Sequence, residues 1–166
     1  MTVHCQAALE ARAALVAHEY EPAPLGAADV EIAVTHCGIC HSDIHMIDND
    51  WGMSRYPLVP GHEVVGTVRA VGAAVRHLTA GQRVGVGWQS ASCGTCEWCV
   101  RGDDNCCPTW EATCVGRPGG FATALRVDGR FAFPLPDGLP SETAAPLLCA
   151  GVTVYSPLRH VAATAR

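Results

Sequence analysis

Residues 92–108 read SCGTCEWCVRGDDNCCP and carry half of the ten cysteines of this 166-residue chain. Two residues separate each of the first three cysteines from the next, and an adjacent pair follows after a short loop: Cys93, Cys96, Cys99, Cys106 and Cys107. A two-residue spacer lets a tight turn direct both sulfurs at one ion, and four thiolates at about 2.3 Å complete the closed tetrahedral shell of a structural zinc. The segment therefore predicts a structural zinc site.

An iron–sulfur cluster is the alternative metal centre for this segment. Bacterial ferredoxins carry a run of Cys-x2-Cys-x2-Cys that is followed by Cys-Pro, with three residues between the third and fourth cysteines. Here seven residues separate Cys99 from Cys107. The longer spacing favours zinc over an iron–sulfur electron carrier.

Composition limits the class of protein around this site. The chain is 49% hydrophobic, which supplies one sizeable core, and its length favours a single domain. Its formal net charge is −5 and its basic residues are scattered, so we expect no nucleic acid as a partner. No apolar run approaches the roughly 18 residues that a membrane span needs. We therefore predict a soluble protein.

The first twenty residues give an indication of the cellular compartment. They lack a basic leader and place Glu10 and Arg12 inside their apolar stretch, which argues against a secretory signal. We therefore predict a cytoplasmic location. In a reducing compartment cysteines stay as thiols, so their clustering indicates metal binding rather than disulfides.

Apolar alternation predicts a mainly β domain with short helices. Three segments alternate with the period of a strand: Val30, Ile32 and Val34; Val84, Val86 and Trp88; Phe121, Thr123, Leu125 and Val127. Turn-rich stretches separate them at 22–26, 57–61 and 117–120. After a predicted N-cap at Ser141, residues 143–161 look helical in pieces, with breaks at Pro146 and Pro157.

Three further segments point to a second metal site. GICHSD at 38–43, GHE at 61–63 and APLLCAG at 145–151 each place a cysteine or histidine beside glycine. Together Cys40, His62 and Cys149 would form a three-ligand set. Three protein ligands leave one zinc position for water or a substrate oxygen, which is typical of a catalytic zinc.

These motifs, in this order, resemble the zinc-dependent medium-chain alcohol dehydrogenases. Within that family, CHSD, YPLVPGHEVVG, SCGTCEWC and APLLCAGVTVYSPL resemble the cinnamyl-alcohol-dehydrogenase branch and its bacterial aldehyde reductases. The resemblance implies a GroES-like, partly open β-barrel catalytic domain. It also implies hydride transfer between primary alcohols or aldehydes and NADP(H), with two zinc ions per chain.

The resemblance assigns the zinc ligands by position. Cys40, His62 and Cys149 would bind the catalytic zinc. The structural zinc would take Cys107 rather than Cys106 as its fourth ligand, because the family's ligand precedes the position of Pro108. The full structural set is then Cys93, Cys96, Cys99 and Cys107. Cys5, Cys37, Cys106 and Cys114 receive no role, and we interpret them as buried small hydrophobes.

The resemblance also assigns residues around the catalytic zinc. Ser42 and His45 would relay the released proton to the surface through the cofactor ribose, and Asp43 would hold His62 in its ligating tautomer. Glu63 would lie beside the zinc and approach it during ligand exchange. His41 would face the cofactor pyrophosphate. Trp51 and Trp110 are candidate walls of an apolar substrate pocket.

The domain prediction is a catalytic domain at 1–150 and the start of a linker helix at 151–166. No Gly-x-Gly-x-x-Gly turn for a dinucleotide occurs in the sequence, so the Rossmann domain of the family is expected to be absent. We predict a truncated oxidoreductase that is inactive alone, from a family in which homodimers are expected for the full-length enzyme. The alternative is a non-catalytic zinc-binding β-barrel module.

Overall fold

The structure, a computed structural model, describes residues 1–164. Nine short strands run through it: β1 (Val3–Ala7), β2 (Val16–Tyr20), β3 (Asp29–Gly38), β4 (Glu63–Val71), β5 (Arg83–Val86), β6 (Gln89–Ala91), β7 (Glu111–Ala112), β8 (Ala124–Asp128) and β9 (Phe133–Pro134). The helices are α1 (His41–Asp48), α2 (Glu97–Arg101), α3 (Ser141–Pro146) and α4 (Val152–Thr164). Within these residues no helix combines the length and the apolar character that crossing a membrane requires.

A five-stranded antiparallel sheet forms the centre of the molecule. Its strand order is β8-β3-β4-β5-β9, and the long strands β3 and β4 pair over most of their length. Two two-stranded sheets, β1-β2 and β6-β7, accompany it. One core cluster lies on this sheet and consists mainly of β-branched side chains, which pack well on a pleated surface: Val30, Ile32, Val64, Val68, Val84, Val86 and Val127. The prediction of a mainly β domain with short helices is confirmed.

The predicted strands differ from the observed ones at two ends. Trp88 lies beyond the end of β5, and Phe121 and Thr123 precede β8. The last two residues still form backbone hydrogen bonds, but with β1. Gln6 N–H donates to the Phe121 carbonyl at 2.8 Å, and Thr123 N–H donates to the His4 carbonyl at 2.8 Å. Thr123 also continues the pairing of β8 with β3, since the Val34 N–H donates to its carbonyl at 3.2 Å, so this segment joins β1 to the central sheet.

The helical region also departs from the sequence prediction. Pro140, not Ser141, occupies the N-cap of α3, and the Ser141 hydroxyl accepts a hydrogen bond from Arg83 at 3.1 Å instead. α3 ends at Pro146 as expected, and a single π turn (Leu147–Gly151) follows it. The predicted break at Pro157 is wrong, because α4 continues through that residue. Proline removes one N–H donor, but its fixed φ is close to the helical value.

The sheet positions the segments that carry the predicted ligands. α1 follows directly after β3, while His62 immediately precedes β4. The π turn packs against β5, where a Cβ on Gly87 would lie only 2.6 Å from the carbonyl oxygen of Leu148. Glycine at that position therefore permits the close approach that brings Cys149 toward α1. The four-cysteine lobe, defined as residues 92–108, leaves the sheet between β6 and β7.

Candidate metal centres

The four-cysteine lobe gathers four sulfurs at one point. The Sγ atoms of Cys93, Cys96, Cys99 and Cys107 all lie within 4.8 Å of one another. The Cys93 and Cys99 sulfurs are 3.9 Å apart, and those of Cys96 and Cys99 are 3.5 Å apart. Four sulfurs at about 2.3 Å from one tetrahedral ion are separated by about 3.8 Å. The cluster therefore has the size and the donor chemistry of a closed zinc shell.

Backbone donors stabilise negative charge in this lobe. The N–H groups of Thr95 and Cys96 donate to the Cys93 sulfur at 3.5 and 3.3 Å. These hydrogen bonds, that of Thr95 first, lower the pKa of the Cys93 thiol to about 5. The Cys93 N–H in turn donates to the Cys107 sulfur at 3.4 Å. A thiolate is the form that binds a metal, so the backbone prepares the lobe for a cation.

Cys106 lies outside the sulfur cluster, as the family resemblance predicts for the adjacent pair. Its side chain is exposed and accepts a hydrogen bond from Asn105 at 3.5 Å, whereas Cys107 is buried. The interpretation of Cys106 as a buried small hydrophobe is therefore wrong. Cys106 ends a short 3-10 turn (Asp104–Cys106). This turn directs the Cys106 side chain toward solvent and that of Cys107 inward.

The second cluster, the open site, brings together three residues from distant parts of the chain. The sulfurs of Cys40 and Cys149 are 3.8 Å apart, and Nε2 of His62 lies 3.3 Å from the Cys149 sulfur. Cys40 is the N-cap of α1. Two thiolates and one imidazole around a tetrahedral zinc have similar separations, about 3.8 Å between sulfurs and about 3.6 Å from nitrogen to sulfur. The three residues therefore fit zinc.

Asp43 fixes the orientation of the histidine. Its Oδ1 accepts hydrogen bonds from His62 Nδ1 at 3.0 Å and from Gly61 N–H at 2.9 Å, while its Oδ2 accepts from Cys40 N–H at 2.9 Å. Both side chains are fully buried. An acceptor on Nδ1 leaves Nε2 directed at the cysteines, which is the arrangement found around metal-bound imidazoles.

Without a cation the charges of the open site conflict. Burial raises the pKa of Cys149 to about 12, and the charge of nearby Cys40 adds to this effect. Burial opposes ionisation of Cys40 as well, but hydrogen bonds from Ser42 outweigh it and lower the pKa. A divalent cation resolves this conflict, because it stabilises both sulfurs as thiolates.

Glu63 is the fourth member of this cluster. One of its carboxylate oxygens lies within 4.8 Å of the ligand atoms of Cys40, His62 and Cys149. Burial raises the pKa of this carboxyl group. A Cβ on Gly38 would clash with a Glu63 carboxylate oxygen, so a larger residue at position 38 would displace this side chain. Glu63 therefore lies beside the three predicted ligands, and its role at the metal stays a prediction.

The predicted relay residues lie on α1. Ser42 lies in the first turn, where its N–H donates to the Cys40 sulfur at 3.5 Å. His45 lies one turn further and its Nδ1 is 2.8 Å from Asp50. The rings of His41 and His45 are in contact, with centroids 4.7 Å apart, and His41 is exposed. All three residues therefore lie on the helix that Cys40 caps.

An aromatic row joins His45 to His62. The His45 ring lies 5.2 Å from that of Trp51, which lies 6.2 Å from Trp88, and Trp88 meets His62 edge-on at 4.9 Å. Trp51 is thus linked to the open site through Trp88, and its place in a substrate pocket stays a prediction. Sequence reasoning missed Trp88, because its place at the end of a strand gave no sign of this contact.

Trp110, the other tryptophan proposed to wall the substrate pocket, lies elsewhere on the surface. It is exposed and lines a depression together with Met53, Glu111 and Arg117. The ion pair between Arg117 and Glu111 gives this depression a polar wall, with a nitrogen-to-oxygen distance of 3.0 Å. The structure therefore offers contacts near the open site for Trp51 but not for Trp110.

A comparison with models of known protein families identifies the domain that contains these two clusters. Residues 26–137 match the alcohol dehydrogenase GroES-like domain, and this range includes both the lobe and most of the open site. The chain belongs to the medium-chain alcohol dehydrogenase family. The fold class predicted from the resemblance, GroES-like, is confirmed.

Individual relatives specify the branch of this alcohol dehydrogenase family. The chain is 51% identical to the aldehyde reductase AdhA of Synechocystis over 156 residues, and 49% identical to cinnamyl alcohol dehydrogenase 8 of Arabidopsis thaliana over 143 residues. These matches cover 94% and 81% of this chain but 46% and 40% of the relatives. The predicted resemblance to the cinnamyl-alcohol-dehydrogenase branch is confirmed.

Solved structures give the same result. A cinnamyl alcohol dehydrogenase of Sorghum bicolor superimposes with a TM-score of 0.92 at 46% identity, over 98% of this chain and 48% of that one. The enzyme of Helicobacter pylori, solved as a complex with NADP(H), gives 0.90 at 32% identity, over 96% and 49%. The chain thus spans about half the length of the relatives that it matches.

Proposed function

We propose that this chain carries the catalytic zinc domain of an oxidoreductase that interconverts primary alcohols and aldehydes with NADP(H). The observation that carries the proposal is the open site, in which three ligand atoms converge while Asp43 orients the histidine. Three protein ligands suit a metal that must also bind substrate. Similar proteins named as an aldehyde reductase and as cinnamyl alcohol dehydrogenases support this substrate class.

The residues of the open site would perform binding and orientation. When bound, zinc supplies Lewis acidity toward an alcohol or aldehyde oxygen, and NADP(H) supplies the partner for hydride transfer. Cys40, His62 and Cys149 would hold the ion. Asp43 would keep Nε2 of His62 available to it, and Glu63 would lie beside the remaining position, where ligands exchange.

Two residues of α1 would move the proton. The Ser42 hydroxyl, next to Cys40, would accept the proton that the alcohol loses. His45 is about one-third exposed and hydrogen-bonded to Asp50, so it would pass the proton to solvent. General acid–base groups work best when they are fixed within hydrogen-bonding reach of their partners. When NADP(H) is bound, Ser42 and His45 would be the residues that hold its ribose, and His41 would hold its pyrophosphate.

The end of the described chain suits a connection to a second domain. α4 begins one residue after Gly151, near the domain boundary that we propose at 150/151. Its apolar side chains are largely exposed, among them Val154, Tyr155 and Leu158. Because the chain spans about half the length of its relatives, we expect the 166-residue polypeptide to show little or no turnover when assayed alone.

The metal content of the purified chain tests the ligand assignment. Elemental analysis of protein prepared without added metal should give two zinc ions per chain. A single zinc, retained when Cys149 is replaced by alanine, would restrict the metal to the four-cysteine lobe and overturn the proposed catalytic site. Iron in place of zinc would support an electron carrier and contradict the dehydrogenase function.

Substrate binding separates the oxidoreductase from a non-catalytic zinc module. Cobalt(II) accepts the same ligands as zinc and absorbs visible light, so cobalt in the open site reports each new ligand. We expect the spectrum to change when a primary alcohol or its aldehyde is added, and the Cys149→Ala variant should lose this response. A spectrum that no alcohol or aldehyde alters would favour the non-catalytic module.

A further inference from the structure

Cys114 is a buried thiol to which the proposed reaction gives no role. It lies in the loop between β7 and β8, has no exposed surface, and packs in a cluster with Met46 and Leu58. Its sulfur lies within 4.8 Å of a carboxylate oxygen of Asp43 and of a ring nitrogen of His62. The Cys114 thiol therefore lies next to Asp43 and His62, the hydrogen-bonded pair that orients the open site.

The backbone at this residue is in an unusual conformation. Cys114 has a φ of 65°, in the left-handed region that glycine adopts readily and other residues adopt at a cost. Buried non-glycine residues persist in such conformations where the surroundings hold them, frequently near functional sites. Glycine would relieve the cost here, so the retained side chain indicates that its volume is used.

The neighbouring backbone accommodates that side chain. A Cβ on Gly119 would lie 2.6 Å from the Cβ of Cys114 and 2.6 Å from the carbonyl oxygens of Gly61 and Pro60. Glycine at 119 thus lets the β7–β8 loop approach the segment that leads into His62. The loop therefore lies against Gly61, whose N–H is one of the three donors to Asp43.

A carboxylate in this position needs protection from water. Asp43 accepts three hydrogen bonds, and both it and His62 are fully buried. A water molecule admitted beside Asp43 would compete for the same oxygens and loosen the hold on His62. A sulfur fills such a space without placing a second charge against the carboxylate.

We propose that Cys114 is a positioning residue for the open site. Its thiol closes the space behind Asp43, so that the carboxylate keeps its three donors and His62 keeps Nε2 directed at the metal position. The inference rests on the proposed function, because it assumes that His62 serves a metal. Cys114 would act through its packing against Asp43, without any contact with the substrate.

The Nδ1–H proton of His62 provides the test. In the 15N-labelled 166-residue chain this buried, hydrogen-bonded proton should exchange slowly with solvent. We expect its exchange to accelerate about tenfold in Cys114→Ala and in Cys114→Gly, since both open the space, while Cys114→Ser, which nearly keeps the volume, stays close to the parent. The matched control is Cys5→Ala, a buried cysteine in a different core cluster.

Two results would overturn the inference. One is unchanged exchange in both Cys114→Ala and Cys114→Gly. The other is equal acceleration in Cys5→Ala, which would indicate general loss of stability. Zinc release to a chelator gives the second readout, with release from the open site about tenfold faster in Cys114→Gly and release from the lobe unchanged. Failure of the metal assignment on which the inference rests looks different, because the parent chain would then hold no zinc at the open site.

Discussion

The two metal clusters of this molecule are built in opposite ways. The four-cysteine lobe takes its ligands from a short local stretch, in which Cys93 and Cys107 are only 14 positions apart. The open site joins Cys40 to Cys149 across 109 positions, and the central sheet holds the segments together. The comparison teaches that local spacing determines the lobe, whereas tertiary packing determines the open site. We therefore expect the lobe to depend on its metal and the open site to be largely preformed.

Loss of a lobe ligand should have the largest effect. Replacing Cys107 with alanine leaves three sulfurs, and binding of a structural zinc is itself folding free energy. We expect the lobe zinc to be lost and the free energy of unfolding to fall by about 4 kcal/mol or more. Elemental analysis and thermal unfolding measure the two quantities.

The adjacent cysteine is the matched control for this variant. Cys106 is exposed and lies outside the sulfur cluster, so Cys106→Ala should keep both zinc ions and the parent stability. Equal losses from the two variants would break the comparison, because the lobe would then use both cysteines. The open site should keep its zinc in either variant, since its ligands come from other elements.

Neutralising Asp43 should have an intermediate effect that is confined to the open site. In Asp43→Asn an amide nitrogen replaces one carboxylate oxygen. The carboxylate of Asp43 accepts hydrogen bonds from three N–H groups, whereas the amide nitrogen is itself a donor and cannot accept one. Losing such a partner of a metal-bound histidine typically weakens metal affinity by about 10- to 100-fold. Competition with a chelator, followed separately for the two sites, measures the change.

Asp103→Asn provides the control for a lost carboxylate. Asp103 lies in the lobe, is about half exposed, and pairs with Arg101 at 3.6 Å. An exposed ion pair of this kind contributes little, so zinc affinity at both sites should stay at the parent value. If Asp43→Asn weakened the lobe as much as the open site, the two clusters would not be independent.

The same contrast explains what the sequence could reveal. Cys-x2-Cys spacing encodes a local geometry, so the lobe ligands could be proposed from the residues alone. The open site could be suggested from three separate Cys and His segments, but its ligand assignment depended on the family resemblance, because no local pattern shows that Cys149 approaches Cys40. The places of Trp88 and Cys114 beside His62 and Asp43 could not be predicted for the same reason, because both arise from tertiary packing.

Backbone details limited the fold prediction in a similar manner. Ser141 has the composition of an N-cap, yet Pro140 takes that place because the Ser141 hydroxyl bonds to Arg83 on β5. Phe121 and Thr123 alternate like strand residues and bond to β1, while Thr123 also accepts a hydrogen bond from Val34 of β3. Propensity and alternation describe local preference, and these three residues follow longer-range partners instead.

The smallest expected effect concerns the link between the lobe and the rest of the molecule. Arg130 spans the two, because it donates to the Ser92 carbonyl at 2.7 Å and pairs with Asp128 of β8 at 2.6 Å. Its side chain is about half exposed, so water screens much of this pairing. Arg130→Ala should lower the free energy of unfolding by about 0.5–1 kcal/mol and keep both zinc ions.

Arg101→Ala is the appropriate comparison for that variant. Arg101 is an exposed lobe arginine whose ion pair with Asp103 stays within the lobe, so its removal should leave thermal unfolding unchanged. A larger loss for Arg130 than for Arg101 would show that the lobe adds stability through its attachment as well as through its metal. Equal and negligible losses would mean that the zinc alone holds the lobe's structure, and the contrast between the two clusters would then be complete.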